Sequence, residues 1–298
     1  MREFELSDGK RIPEGQTVRL KTMNHIVEVM SILNESSGFQ KIKKLSKSEY
    51  VLLETGEVLQ YKLSDNRGQN VAGLKETFRK VRDLINNNFI GGNNELHLTL
   101  TYAENMTDVK RLYVDFKSFW MRYTRRYGNV DYLSVVEPQG RGAWHCHVLM
   151  RHNGVREIFI PADEVEKLWS HGFVKVRGLF GVDNIGAYLS AYLADVELTD
   201  ETSSIAVMHH LELKEVSEGE VKKAYIKGGR LWMYPPGMNL YRHSKGIEFP
   251  EVQKVAYEDA KKIVGSHTPN YSRTVRVLDD GRVLNEITYE QYNLRREL

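Results

Sequence analysis

The stretch DYLSVVEPQGRGAWHCHVLM, residues 131–150, decides how this chain folds. Two runs rich in Val, Leu and aromatic residues, 131–137 and 144–150, flank PQGRGA, whose proline and two glycines turn the chain. The pattern spells an antiparallel hairpin. Side chains at i and i+2 of a strand share a face, so His145 and His147 emerge together while Cys146 points the other way, into a core. Glu137 ends the partner strand, and the turn brings its carboxylate to the same patch. Two imidazoles and a carboxylate within about 5 Å on a rigid sheet form a three-ligand metal site with positions open to water or substrate. A lone His-x-His is weak in a chain with ten histidines, and the strand-ending Glu beside a glycine-rich turn is what makes it specific.

Upstream, ELHLTLTY (95–102) alternates as a strand, and 107–127 places apolar residues at helical spacing behind a Thr/Asp cap. Downstream, Pro161 opens a helix to about His171, Gly172 ends it, and FVKV (173–176) is a short strand. Asp183 or Asn184 then caps a helix through about Leu193. The order βαββαβ predicts an α+β fold, the ferredoxin-like antiparallel sheet with helices on one face. Residues 70–88 form a further helix packed on it, and Asp280-Gly281 marks a hairpin. Three regions result: an N-terminal accessory region 1–62, a core 63–204, and a C-terminal basic and aromatic accessory region 205–298.

Tyr188 and Tyr192 stand four apart, so both hydroxyls project from one face of the helix after the last strand. A second such pair, Tyr123 and Tyr127, lies among arginines and suits structure or phosphate contact. Topology separates the two, because the later helix can lie across the sheet face that carries the histidines. His97, next to Thr99 on the first strand, reads either as a group that supports the site from behind or, as the favoured reading, as a plain exposed strand residue.

Composition bounds the remainder. Hydrophobic residues at 41% and charged residues at 28% exclude general disorder, and a net charge of +2 identifies no partner. No apolar run approaches the ~20 residues of a bilayer span, and the N-terminus lacks the pattern of a secretory leader. The one cysteine excludes an internal disulfide and suits a reducing compartment, so a soluble cytoplasmic protein is expected. Charge is nonetheless uneven. Lys222, Lys223, Lys227, Arg230, Arg242 and Lys245 crowd a segment without acids, interleaved with aromatics that include Trp232 and Tyr234. Cations for phosphates and rings for bases make this segment the candidate DNA grip.

LHLTLTY, SVVEPQGRGAWHCHVLM and NIGAYLSAYLADV, in that order, resemble the three motifs of the HUH endonucleases, most closely the two-tyrosine rolling-circle replication initiators of plasmids and phages. RGQNVAGLKETFRKVRDLINNNF and GGRLWMYPPGMNLYRHSKGI extend the resemblance to plasmid-type Rep proteins over roughly residues 60–250. The resemblance implies metal-dependent nicking and joining of single-stranded or cruciform origin DNA through a 5′-phosphotyrosine. Tyr188 and Tyr192 would be the nucleophiles, with Glu137, His145 and His147 holding Mg²⁺ or Mn²⁺. A host helicase and polymerase would be partners, with no nucleotide cofactor and no membrane. Many relatives carry a lysine at the tyrosine motif, whereas Ala191 and Asp195 stand here, so its charge either comes from elsewhere, with Lys175 or Arg177 as candidates, or is absent. Competing expectations are a relaxase or transposase of the same superfamily, a two-His-one-carboxylate iron oxygenase, and a non-enzymatic DNA-binding regulator. The tyrosines following the histidines disfavour a relaxase, and the helices disfavour the oxygenase.

Overall fold

The computed structural model describes residues 2–35, 42–46, 48–53, 55–60, 70–186, 189, 194–218, 221–235 and 237–296. The chain forms two compact units, Ser64–Phe249 and a second assembled from Met1–Leu63 with Pro250–Leu298. The expected C-terminal region is thus divided, with 205–249 in the first unit and 250–298 in the second.

In the first unit, α1 (Val71–Asn88) precedes β1 (Glu95–Leu100), α2 (Val109–Tyr127), β2 (Val130–Pro138), β3 (Trp144–His152), α3 (Ala162–Trp169) and β4 (Val174–Gly178). Next come β5 (Val196–Glu197), α4 (Ser203–Met208), β6 (Leu213–Glu218), β7 (Val221–Ile226), a 3-10 turn (Gly229–Met233) and β8 (Tyr241–His243). The main sheet runs β4-β1-β3-β2-β8 with every neighbouring pair antiparallel. Its first four strands have the ferredoxin-like order, and β8 adds an edge. A small sheet, β5-β7-β6, lies in the same unit.

Local chemistry sets the element ends. The Asp108 carboxylate accepts the backbone N–H groups of Lys110 and Arg111 and starts α2, and Gly128 at φ 80° stops it. Between them Leu112, Phe116, Phe119 and Tyr123 form a buried stripe three and four residues apart. α3 ends at Ser170 in the left-handed conformation rather than at the expected Gly172. Gly172 has another duty. A Cβ there would lie 2.5 Å from the Ala103 nitrogen, so only glycine lets the chain pass the end of β1.

Strand alternation then sorts the faces. Leu96, Leu98, Leu100, Cys146, Val148 and Met150 point to α2 and α3, so both crossover helices share one face. Leu133, Val135 and Leu149 point the other way and pack with Val81, Leu84 and Ile85 of α1, together with Ile185 and Leu189. The sheet is therefore covered on both faces, more fully than the one-sided arrangement expected.

The second unit carries a six-stranded antiparallel sheet in the order Arg2–Asp8, Tyr271–Asp279, Arg282–Asn293, Ile26–Ile32, Thr17–Met23, Gln253–Ala256. Ala260 and Val264, on the helix Tyr257–Val264, pack against Val18, Leu20, Val27 and Val29. Asp280 and Gly281, at φ 47° and 75°, make the tight turn their pairing announced.

Phe119 is fully buried while Val114, on the same helix, is 64% exposed. Phe119→Ala is expected to cost about 3–5 kcal/mol in urea unfolding. Val114→Ala should stay within about 0.5 kcal/mol of the parent chain.

Candidate metal and phosphodiester site

The β2–β3 hairpin sets the site. Glu137 pairs directly with His145, and Val135 with His147, so the carboxylate and both imidazoles lie on one face in consecutive positions. The turn closes through Gln139 N–H to the Ala143 carbonyl at 2.7 Å and Gly142 N–H to the Gln139 carbonyl at 2.8 Å, with Gly142 at φ 85°. Buried Trp144 anchors the hairpin by donating its indole N–H to the Thr107 carbonyl at 2.9 Å.

One carboxylate is the hub. Glu137 Oε1 lies 3.2 Å from His147 Nε2 and 3.9 Å from His145 Nδ1, and Oε2 lies 2.6 Å from Arg230 Nη1. On its other side His147 Nδ1 meets His97 Nε2 at 3.0 Å and the Thr99 hydroxyl at 3.4 Å. His97 is thus buried and hydrogen-bonded, not the exposed residue the strand pattern suggested. Alternation within β1 does not reveal that α1 covers that face.

Arg230 was expected in a DNA grip and sits in the site instead. Its Nε donates to the Asp195 carbonyl at 3.0 Å, and the Asp195 carboxylate accepts the Gly228 N–H at 2.9 Å and pairs with Lys214. Gly228 takes φ 71°, and a Cβ on Gly229 would come within 2.8 Å of Val196. The two glycines let the chain turn tightly and deliver the guanidinium to Glu137. The signal in the sequence was GGR itself, a tight backbone followed by a cation.

Burial by itself would raise the Glu137 carboxyl, but His147, Arg230 and His145 outweigh it and hold it near 2. Burial pushes His145 down to about 4 against the pull of Glu137. At neutral pH the donors include an ionised carboxylate and a neutral imidazole, the forms a divalent cation requires. The donor chemistry therefore fits Mg²⁺ or Mn²⁺. Among the described residues no three such groups stand at the spacing of a ready metal cage, because Glu137 is drawn onto His147 and Arg230.

Tyr188, Tyr192 and Ala191 lie outside the described residues. Ile185 and Leu189 are described, and both are buried against the histidine-bearing face. Gly186 brings its backbone close to α1, where a Cβ would meet Asn86 Oδ1 at 2.5 Å. Lys175 and Arg177 pair in register with Thr99 and His97, which puts them on the same face, and both are exposed. Tyr123 is buried with its hydroxyl 3.0 Å from His152, and Tyr127 donates to Glu164, so this pair has structural work.

The basic and aromatic segment is not one surface. Tyr234 is buried and donates to the Val136 carbonyl, so it offers no face to a base. Trp232 stacks on His209 at 3.6 Å. Lys223 pairs with Glu197 and Lys227 with Glu212. Arg242 lies over the Tyr113 ring at 3.6 Å, Lys245 is exposed, and the Lys222 side chain lies outside the described residues.

The hairpin thus brings two histidines and a buried acid to one face of a ferredoxin-like sheet. Residues 95–197, from β1 to β5, match a family model described as replication-associated protein. The match supports a Rep-type replication protein. No curated protein matches the chain. Among the described residues no helix is long and apolar enough to cross a membrane.

Burial also pushes His152 down to about 4 and His97 to about 3. The unfolded chain takes up these protons near pH ~6.5, whereas the folded chain resists until far lower. The stabilisation is complete above pH ~6.5 and is lost as the pH falls toward the folded values. Melting temperature should therefore drop between about pH 6.5 and 4, with a shallower slope in His152→Gln.

Proposed function

We propose that this chain initiates rolling-circle replication by nicking and rejoining one strand of origin DNA at the Glu137, His145 and His147 site. The observation that carries this reading is the meeting of those three side chains on one sheet face, within the segment that matches the replication-associated family.

Each group has a defined task. Glu137, His145 and His147 would hold a divalent ion, which when bound polarises the scissile phosphate and offsets charge building on its oxygens. Arg230 fixes one oxygen of Glu137 and turns the other toward the imidazoles. His97 holds His147 from behind, which orients its Nε2 to the site. Tyr188 or Tyr192 supplies the nucleophile. Its Oη–P bond forms as the P–O3′ bond breaks, the phenol gives up its proton, and the 3′ oxygen takes one up. The phosphotyrosine keeps the phosphodiester energy, so rejoining needs no nucleotide cofactor. Two phenols let one stay attached while the other cuts again. A strand reaches such a site only when separated from its complement, which makes single-stranded or cruciform DNA the substrate. A host helicase and polymerase would then act on the freed end.

Incubation with Mn²⁺ and an origin oligonucleotide should give a covalent protein–DNA band on denaturing gels. Tyr188→Phe combined with Tyr192→Phe, His147→Ala, and EDTA should each remove it. A band that survives the double tyrosine change would place the nucleophile elsewhere, and no band on any cognate DNA would leave only a binding protein. Arg230→Gln leaves the buried Glu137 carboxylate without its cation and is expected to cost about 3–5 kcal/mol in urea unfolding.

A further inference from the structure

We propose that a cleft beside Glu137 holds a single unstacked nucleotide of the DNA strand and reads its base as guanine. This rests on the endonuclease reading and adds a specificity site to it. A cavity of about 430 Å³ opens between the hairpin turn and the loop before α4, with Glu137 and Arg230 lining one side. That volume is at the small end of the ~300–1,000 Å³ typical of ligand pockets, room for one nucleotide and not for a duplex. Because Glu137 belongs to both the cleft and the metal site, a base lodged here sits next to the phosphate being cut.

The walls are fixed before any ligand arrives. Thr202 is fully buried, its hydroxyl donating to the Glu197 carbonyl at 2.7 Å and accepting the Thr199 N–H at 2.9 Å. Gly140, in the hairpin turn, is packed on this loop so closely that a Cβ would lie 2.9 Å from Thr202 Cγ2. The turn and the loop therefore brace each other.

The lining chemistry selects the base. Arg141 lines the cleft, and its guanidinium has no ion pair or hydrogen bond among the described residues. Across from the turn, Glu201 contributes a carboxylate that accepts the Thr199 hydroxyl at 3.2 Å, with further acceptor capacity. Lys223 pairs with the second acid, Glu197, at 3.3 Å and offsets its charge. A guanidinium and a carboxylate match guanine, which presents acceptors at O6 and N7 and donors at N1 and N2. Adenine and cytosine offer a carboxylate only one exocyclic amino group and thymine only N3–H, so guanine alone presents two adjacent donors to a carboxylate together with two adjacent acceptors to a guanidinium fork. N1–H and part of N2–H₂ are used in base pairing, so the reading requires a base withdrawn from the duplex.

The test uses the full chain and a single-stranded DNA library with randomised positions. Bound strands are selected in EDTA and sequenced, and strands cut in Mn²⁺ are mapped in parallel. Guanine should be enriched about tenfold or more at one position, adjacent to the cut. Arg141→Ala and Glu201→Gln, both on the surface, should flatten the preference there and keep preferences elsewhere. Absence of a guanine position, or its persistence in both variants, overturns the proposal. The two readings separate cleanly. Guanine selection in EDTA by a chain that never forms a covalent adduct supports the cleft and defeats the endonuclease reading. Adduct formation without guanine preference overturns the cleft alone.

Discussion

An ionised carboxylate buried against a sheet is costly unless its charge is met at once, and Glu137 is such a group. Arg230 meets it on one oxygen and His147 on the other. From that requirement much of the first unit follows. The guanidinium must travel from a segment far along the chain, so β5, β7 and the 3-10 turn are folded tightly enough to deliver it, with Gly228 and Gly229 at the bend. His147 must face the acid with one nitrogen, so His97 and Thr99 engage the other. The site is a chain of hydrogen-bonded and charged groups spanning β1, β2, β3 and the 3-10 turn.

Much of the core was legible in the sequence because its signals are local. Period-two alternation in 95–102 and 131–150, helical spacing in 107–127 and Asp108 as a cap each act within a few residues, and the strand order followed from chain connectivity. The shared face of Glu137, His145 and His147 was legible for the same reason, since one hairpin register decides it. Cys146 fell on the core face by the same alternation.

What the sequence hid depends on distant partners. His97 looks exposed in any alternating strand until α1 is known to lie over it. Arg230 and Tyr234 look like members of a basic and aromatic surface run, yet both turn inward, one to an acid and one to a backbone carbonyl. Composition registers what a segment contains and is blind to the direction each side chain takes. Gly172 showed the same limit, since its close passage past β1 leaves no mark in the local pattern.

The sheet of the second unit is built from both flanks of the chain: Arg2–Asp8 pairs with Tyr271–Asp279, and Thr17–Met23 with Gln253–Ala256. On a ribosome, Arg2–Asp8 therefore emerges long before its hydrogen-bonding neighbour exists, and the hairpin of Thr17–Met23 with Ile26–Ile32 long before the strands that flank it. The intervening unit, whose strand pairs lie between residues 95 and 243, has everything it needs sooner. Synthesis thus imposes a schedule in which the core around the histidine hairpin matures first. The flanking sheet closes last, leaving its early strands exposed to misassociation while translation continues.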